Sequence, residues 1–591
     1  MADRLYSRRA LLGAAASLVV LSGCASSKEE AGSAKKTQKP VVKKDADTLQ
    51  GKHLRDKDEL YTVYDDSGIV DMYLTVSRGN SSENTDHSWS EINSYSVYDY
   101  ADMGVTRYQV LGLLQAGDDN GPVAGELGYG EEAPNATVQI RGQTSSQNVQ
   151  KNYKVKLKRG KGTWRQQRTI ALNKHQGEGM RFRNKMAYDL IKGIPQMVGL
   201  RTQFVHLWVK DETDGAAEAF EDYGLFTQVE QLNKTALKAH GLDADGHLYK
   251  VNSFDFNRSE DVIMEADDPK YNQADFEGML EIKGSSDHSK LIEMLDALND
   301  ESNKIDEVLS TYFDTENLVY WMAFQILTGN CDTQNRNCYL YSPLNSKTWY
   351  FLDWDNDGML RKLELSLTGF SDYGSWERGA SNYWGNVLFN RALRSSSFRK
   401  ALDKAIRDLR SYLSKKRLSK MISDYRAVTE KLVFSSPDLD NLPVTKEQYE
   451  KIAAAIPDEI EENYKTYRES LDKPMPFYIG VPEVSGDQMK LVWDASYDFE
   501  ARDISYTVEL ARDDAMKDII FSAEDLVLPQ TTCDLPEAGQ YFVRVRAKNS
   551  DGKVQDAFDY YVTDDGKLYG IKCFYVQDGG KIVEDIYEEG Q

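Results

Sequence analysis

Gly329-Asn-Cys-Asp332-Thr-Gln-Asn-Arg336-Asn337-Cys338-Tyr-Leu340, followed by Trp349-Tyr-Phe-Leu352-Asp353-Trp354-Asp355-Asn-Asp357-Gly358, is the densest run of chemistry-bearing residues in the chain. Cys338 to Tyr341 and Trp349 to Leu352 read as a short strand pair, so the two acid-bearing segments are adjacent loops joined by a hairpin. Carboxylate and amide oxygens in such loops suit a hard divalent cation, and Asp355 with Asn337 is the pair expected to hold magnesium. Asp353, Asp355, Asp357 and Gly358 also match the opening of a calcium loop, with Glu364 at its twelfth position. The strand before them is the wrong context for that motif. The same aspartates also serve as ordinary turn formers after a strand.

Working outward, strand-like segments dominate from about 60 to 160: Leu60–Tyr64, Val70–Val76, Thr137–Ile140 and Asn152–Leu157. The last alternates strictly, with Tyr153, Val155 and Leu157 on one face and Lys154, Lys156 and Lys158 on the other. Residues 181–193 read as a helix, 204–209 and 224–229 as strands. From about 288 the pattern turns helical, and it returns to helix from roughly 385 to 472 until Pro474-Met-Pro476 stops it. Beyond lies an all-β module with Trp493 and the run Leu535-Pro-x-x-Gly539-x-Tyr541-x-x-Arg544-Val-x-Ala547. That run resembles the E–F corner of a fibronectin type III domain, with Tyr541 as its corner tyrosine and Trp493 as its core tryptophan.

The 591 residues carry 72 Lys and Arg against 95 Asp and Glu, a formal charge of −23. Such a surface argues against non-specific nucleic-acid binding, which depends on displacing counterions with positive charge. It suits partners that are cationic or bring metal ions. Arg4, Arg8 and Arg9, the apolar run Ala10 to Leu21, and Leu21-Ser-Gly-Cys24 read as a lipoprotein signal. Cys24 is the expected lipidation site, and Ser7-Arg8-Arg9 resembles a twin-arginine element. The apolar run is too short to span about 30 Å of hydrocarbon. Residues 25–55 read as a flexible tether. Cys533 and Cys573 are candidates for a disulfide, and no cysteine or histidine spacing suggests zinc.

Asp332 and Asn337 stand five residues apart, the spacing of the catalytic Asp and the metal-holding Asn in protein kinases, and Asp355 lies 23 residues beyond Asp332. Further segments then resemble the CotH kinase family of spore-coat and surface proteins. They are Arg141-Gly-Gln-Thr-Ser-Ser146 with Lys151-Asn-Tyr-Lys-Val-Lys156-Leu, Arg183-Asn-Lys-Met-Ala-Tyr-Asp-Leu190, and Tyr223-Gly-Leu-Phe226-Thr-Gln-Val-Glu230-Gln, where Phe226 replaces the usual tyrosine. Asp332-x-x-x-Arg336-Asn337-x-Tyr339 and Trp354-Asp355-x-Asp357 complete the set.

The resemblance implies an α+β fold: an atypical two-lobe kinase-like domain over 56–473, with a β-rich first lobe and a helical second. A fibronectin type III-like sandwich follows over 474–568, then an extension over 569–591. It implies ATP and Mg2+ (or Mn2+) as cofactors and Asp332 as the residue that orients the acceptor hydroxyl. Asp355, Asn337 and Asp357 are the expected metal residues. Lys156 is the expected phosphate-binding lysine, Lys151 its alternative, Arg141 a second positive contact, and Glu230 a further cofactor-side residue. No Gly-x-Gly-x-x-Gly loop precedes these strands. The expected activity is transfer of the ATP γ-phosphoryl to Ser or Thr of a protein acceptor, by a lipoprotein on the outer face of the cell membrane. The alternative is a catalytically silent surface lipoprotein whose domains bind a protein partner. A glycosidase is disfavoured, because no paired carboxylates stand in a recognisable context.

Overall fold

In the computed structural model the chain is described over residues 53–369, 374–564 and 566–585. The expected signal, Cys24 and nearly all of the tether lie outside the described residues. Among the described residues no helix is long and apolar enough to cross a membrane.

The first half builds a sheet from β1 (Ile69–Ser77), β2 (Val110–Asp118), β3 (Gly121–Pro122), β4 (Ala136–Arg141), β5 (Asn152–Leu157), β6 (Thr169–Asn173), β7 (Thr202–Asp211) and β8 (Glu221–Glu230). Its order is β1-β7-β8-β6-β5-β4-β2-β3, and β1 also pairs with β2, which closes seven strands into a barrel. The β1–β7 pair is parallel and the remaining pairings are antiparallel. The two-lobe expectation pictured a β-rich lobe and did not foresee its closure.

Period-two alternation decides what fills the barrel. Val138, Ile140, Tyr153, Val155, Leu157, Ile170, Leu172, Val205, Leu207 and Phe226 share its core, each apolar side chain contributing about 1.5–3 kcal/mol on burial. The opposite residues of β4 and β5, including Arg141, Lys154 and Lys156, therefore point outward. Residues 60–64, expected as a strand, instead belong to a 3-10 turn, Asp58–Tyr61, with Val63 and Tyr64 exposed. Only Leu60 of that run is buried, and the Tyr61 hydroxyl is tied to Asp56 and the Gly199 carbonyl.

A second, four-stranded sheet follows, from β9 (His247–Val251), β10 (Leu280–Ile282), β11 (Cys338–Ser342) and β12 (Tyr350–Asp353), in the order β10-β9-β11-β12. Helices Ser289–Asn299, Thr315–Thr328, Ser396–Tyr412, Lys415–Val433 and Lys446–Leu471 complete the larger core. Phe204, Leu225 and Val229 on the outer wall of the barrel pack into that core.

The carboxyl-terminal module has two sheets. One is β13 (Glu483–Ser485), β14 (Gln488–Val492) and β17 (Gln530–Asp534). The other contains β15 (Ile504–Ala511), β16 (Ile519–Leu526), β18 (Gly539–Asn549), β22 (Ile571–Val576) and β23 (Ile582–Glu584), with β19 (Val554–Asp556) at its side. A small hairpin, β20 (Tyr560–Thr563) and β21 (Gly566–Tyr569), lies between. Residues 571–584 thus belong to the sheet, because β22 pairs with β18 over Gly539–Arg544. The expected extension over 569–591 contributes β22 and β23 to this sheet. Cys533 and Cys573 are both free thiols, one packed among the buried residues of β14 and β17 and the other against Phe542 and Ile571.

Candidate active site

The β11–β12 hairpin is the frame. Cys338 is directly opposite Asp353, so the loop ending at Asn337 and the loop starting at Trp354 leave the same end of the hairpin side by side. The first loop is launched by the helix Thr315–Thr328, which is buried along nearly its whole length. Asp314 caps it by accepting from the N–H groups of Glu316 and Asn317. Gly329 ends it at φ 67°, the left-handed position that glycine fills without strain. A Cβ there would stand 2.7 Å from the Asn463 side chain.

In that loop Asn337 donates its side-chain N–H to Asp332 at 3.0 Å, and Arg336 Nε lies 3.6 Å from the same carboxylate. Arg336 therefore braces Asp332. Asp332 is half-exposed, at 56%, which keeps it open to an incoming group. Asn337 and Asp355 both adopt positive φ, at 56° and 59°, a strained backbone state that clusters at functional sites.

The second loop is held from below by the Arg-Asn helix, Arg183–Ile191. The Tyr188 hydroxyl accepts from the Asp355 N–H at 3.1 Å, and Asn184 Oδ1 from the Asn356 N–H at 3.4 Å. Arg183, fully buried, donates to Glu364 at 2.5 Å, to Glu178 at 3.2 Å and to the Leu360 carbonyl at 3.0 Å. Glu364 is consumed in this pairing, so the calcium-loop alternative has no twelfth ligand. Asp353 faces inward, accepting from Gln325 and Asn356, and burial pushes its pKa up to about 7. Asp355 is also pushed up, first by burial and then by the nearby Asp357 charge. Asp357, half-exposed, is held low against desolvation through His175, whose Nδ1 lies 3.5 Å away. A pair of carboxylates that repel each other is relieved by a cation between them.

Facing these acids is a group of cations drawn from both sheets. Lys250 on β9 is paired with Glu281 on β10 and with Tyr339 on β11, which puts all three in one cross-sheet row. Burial lowers the Lys250 pKa, while Glu281 and Asp355 pull it up and Arg141 and Lys283 push it down. Lys154 is lowered by burial and by Lys283, Lys156 and Arg141. Arg141 itself is lowered by burial, with Asp355 its strongest opposing charge. It donates to Asn173 and lies 5.9 Å from the Trp354 ring, which in turn meets Tyr339 edge-on at 5.4 Å. Half-buried cations that depress one another need anionic company. On a chain of charge −23 their concentration here is the site's clearest electrostatic feature.

The lysines expected from the sequence fare differently. Lys156 shares the outward face but is exposed, and its register partner is Thr137, whereas Lys154 pairs with Gln139, one pleat nearer Arg141. Lys151 is turned away: buried, it donates to the Ser146 carbonyl at 2.7 Å and senses Asp99. Lys250, Lys283 and Glu281 escaped the sequence reading. The only signal was the alternation of His247-Leu-Tyr-Lys250-Val, since no motif marks that strand.

Glu230, expected on the cofactor side, lies inside a buried network. It accepts from Arg201 and from the Arg201 N–H, and meets His240 Nε2 at 3.0 Å, while His240 Nδ1 reaches Asp56 at 2.6 Å. Against burial these bonds hold the Glu230 pKa down to about 2 and raise that of His240 to about 9. Glu230 therefore stabilises the fold above its unfolded value of 4.5, and the contribution fades as pH falls toward 2. The His240 contribution is complete below 6.5 and is lost as pH rises through 9. The melting temperature is expected to plateau between these two limits, and His240→Gln to flatten the alkaline fall. An alkaline limb unchanged in that variant would refute the assignment.

A closed β barrel packs against a helical body, and the two acid loops leave one end of the β11–β12 hairpin side by side. A family model described as CotH kinase protein matches residues 138–467, from β4 into the last long helix. The chain belongs to the CotH kinase family. No curated protein matches it.

Proposed function

We propose that this protein is a phosphotransferase of the CotH type, moving the γ-phosphoryl of ATP to Ser or Thr of a protein acceptor with a divalent metal. The charges of Arg141 and Lys250 acting on Asp355, with Lys154 and Lys283 beside them on the same two sheets, carry this reading. Among the described residues no group of three or more His, Cys, Asp and Glu is arranged to hold a metal alone. The donor set instead fits magnesium, which takes one or two carboxylates and completes its shell with phosphate oxygens and water. Asp355, Asn337 and Asp357 would hold it, and the nucleotide with its metal would supply the transferable phosphoryl group. Asp332 orients and deprotonates the acceptor hydroxyl, Asn337 fixes the Asp332 carboxylate, and the lysines neutralise charge that builds on the phosphate oxygens. We further read residues 474–585 as a fibronectin type III-like sandwich. Supporting this are its two-sheet strand order and the Tyr541 hydroxyl, which donates to the Glu537 carbonyl four residues upstream at 2.8 Å. Lipidation at Cys24 would place the protein on the outer face of the membrane.

Calorimetric titration with ATP and magnesium tests the cleft. Lys154→Ala and Lys250→Ala are each expected to weaken binding by about 10- to 100-fold, the worth of a charge-assisted hydrogen bond. Lys156→Ala should change it by no more than about threefold, as an exposed charge does. No saturable binding, or equal losses in all three variants, would remove the proposal's basis.

A further inference from the structure

The stretch Ser375–Asn386 touches two parts of the molecule that are otherwise far apart in sequence. On one side it holds the Asp332 loop by its backbone. Arg378 donates to the Gly329 carbonyl at 2.6 Å, Asn382 to the Cys331 carbonyl at 2.9 Å and Asn386 to the Gln334 carbonyl at 2.8 Å. The Tyr383 hydroxyl meets Thr333 Oγ1 at 2.9 Å. Asn382, Tyr383 and Asn386 are buried, so these bonds are shielded from water. Four contacts thus bracket Asp332 on both sides, and none comes from the barrel or the second sheet.

On its other side the same stretch is gripped by the carboxyl-terminal module. Ser375 donates to Asp556 at 2.9 Å and accepts from Gln555 at 2.8 Å, and the Tyr569 hydroxyl donates to Glu377 at 3.2 Å. Trp376 stands edge-on to Phe558 with centroids 5.0 Å apart, and Trp384 packs on Tyr497 at 5.3 Å and Phe499 at 5.7 Å. Trp376 and Arg378 are two residues apart, and Trp384 and Asn386 likewise. The contacts to the module and those to the loop alternate along one short piece of chain.

We propose that the carboxyl-terminal module is a working part of the Asp332 site: through Ser375–Asn386 it sets the position and rigidity of the loop that carries Asp332. Arg378, Asn382 and Asn386 are positioning residues, and the face formed by Gln555, Phe558 and Tyr569 is their buttress. Each link is a direct contact, so the coupling needs no longer route through the core. The module is then not an independent appendage, and anything that binds or displaces it alters the loop. The coupling stands without the phosphotransfer reading, which only determines whether it is felt as a rate.

Hydrogen exchange on the full chain, read by peptide, tests the coupling without requiring activity. Trp376→Ala, on the kinase-domain side, and Tyr569→Phe, which keeps the ring and removes one bond, are compared with the parent. In Trp376→Ala the peptide over 329–337 is expected to exchange about tenfold faster, as local opening free energy falls. Tyr569→Phe should give a smaller rise, and Trp376→Phe should restore slow exchange. Peptides over β4 and β5 and over β18 stay unchanged. Equal protection of 329–337 in the parent and both disruptive variants overturns the proposal, as does a rise spread evenly over the barrel. Where the parent transfers phosphate, Trp376→Ala should lower kcat about tenfold at unchanged KM for ATP, because the phosphate cations lie on the other wall. A matching rise in KM instead would point to general loosening and also count against it.

Discussion

Asp355→Asn is expected to fold normally, melt no lower than the parent, and lose metal-dependent phosphoryl transfer by about 10³-fold. The two halves of that result come from one cause. Asp355 is half-buried beside Asp357 with its pKa driven upward by desolvation and by that neighbouring charge, so in the unliganded protein its charge is a burden. Removing that charge relieves repulsion, while the backbone bond from its N–H to Tyr188 survives the substitution. A cation held at this loop would lose the carboxylate expected to bind it most directly. Asp332→Asn should behave differently. That side chain is half-exposed and hydrogen-bonded to Asn337, so nucleotide binding should persist while transfer falls about 10²- to 10⁴-fold. Titration with nucleotide and a labelled-phosphate assay, run on both variants beside a melting curve, separate the roles. Loss of stability in Asp355→Asn without loss of transfer would show the carboxylate to be a scaffold residue.

Arg183→Met should be the most destabilising single change near the site, by about 3–5 kcal/mol, the cost of leaving buried charges without their partner. Arg183 serves Glu364, Glu178 and the Leu360 carbonyl at once, and its side chain has no access to solvent. Glu364 keeps Arg361 at 2.8 Å and the Gly179 N–H at 3.1 Å, which limits its loss. The double variant Arg183→Met/Glu364→Leu should recover part of the stability, because an apolar pair can replace a buried ion pair at little cost. Denaturant unfolding of the four proteins gives the cycle. Additive losses in the double variant would mean the two residues act independently.

How legible the site was depended on whether its parts announced themselves by spacing. The acid loops did, since Asp332, Asn337 and Asp355 sit at fixed offsets around a recognisable hairpin, and the structure brings the loops to one end of it. The Arg-Asn helix was also foreseen, over residues 181–193, and spans Arg183–Ile191. The cations did not. Choosing between Lys154 and Lys156 needs the register of β5 on β4, because both share a face and differ only by a pleat. Lys250 and Glu281 enter through strand pairing across thirty residues of chain, a relation that no local pattern encodes. Lys151 misled because it lies beside the alternating run, yet its position just before β5 turns it toward Ser146. The closure of β1 onto β2 was likewise invisible, since strands 40 residues apart reveal their pairing only in space.

That closure, together with the mooring of Phe204, Leu225 and Val229 in the helical body, constrains how the molecule can breathe. A sheet with free margins can splay or swing; a sealed tube bolted along one flank can do neither without breaking ladder bonds. The barrel's irregular connections then carry whatever freedom remains, among them the 3-10 turn Thr144–Gln147 between β4 and β5. Gly142 there stands at φ 101°, a backbone state in which any other side chain would be strained.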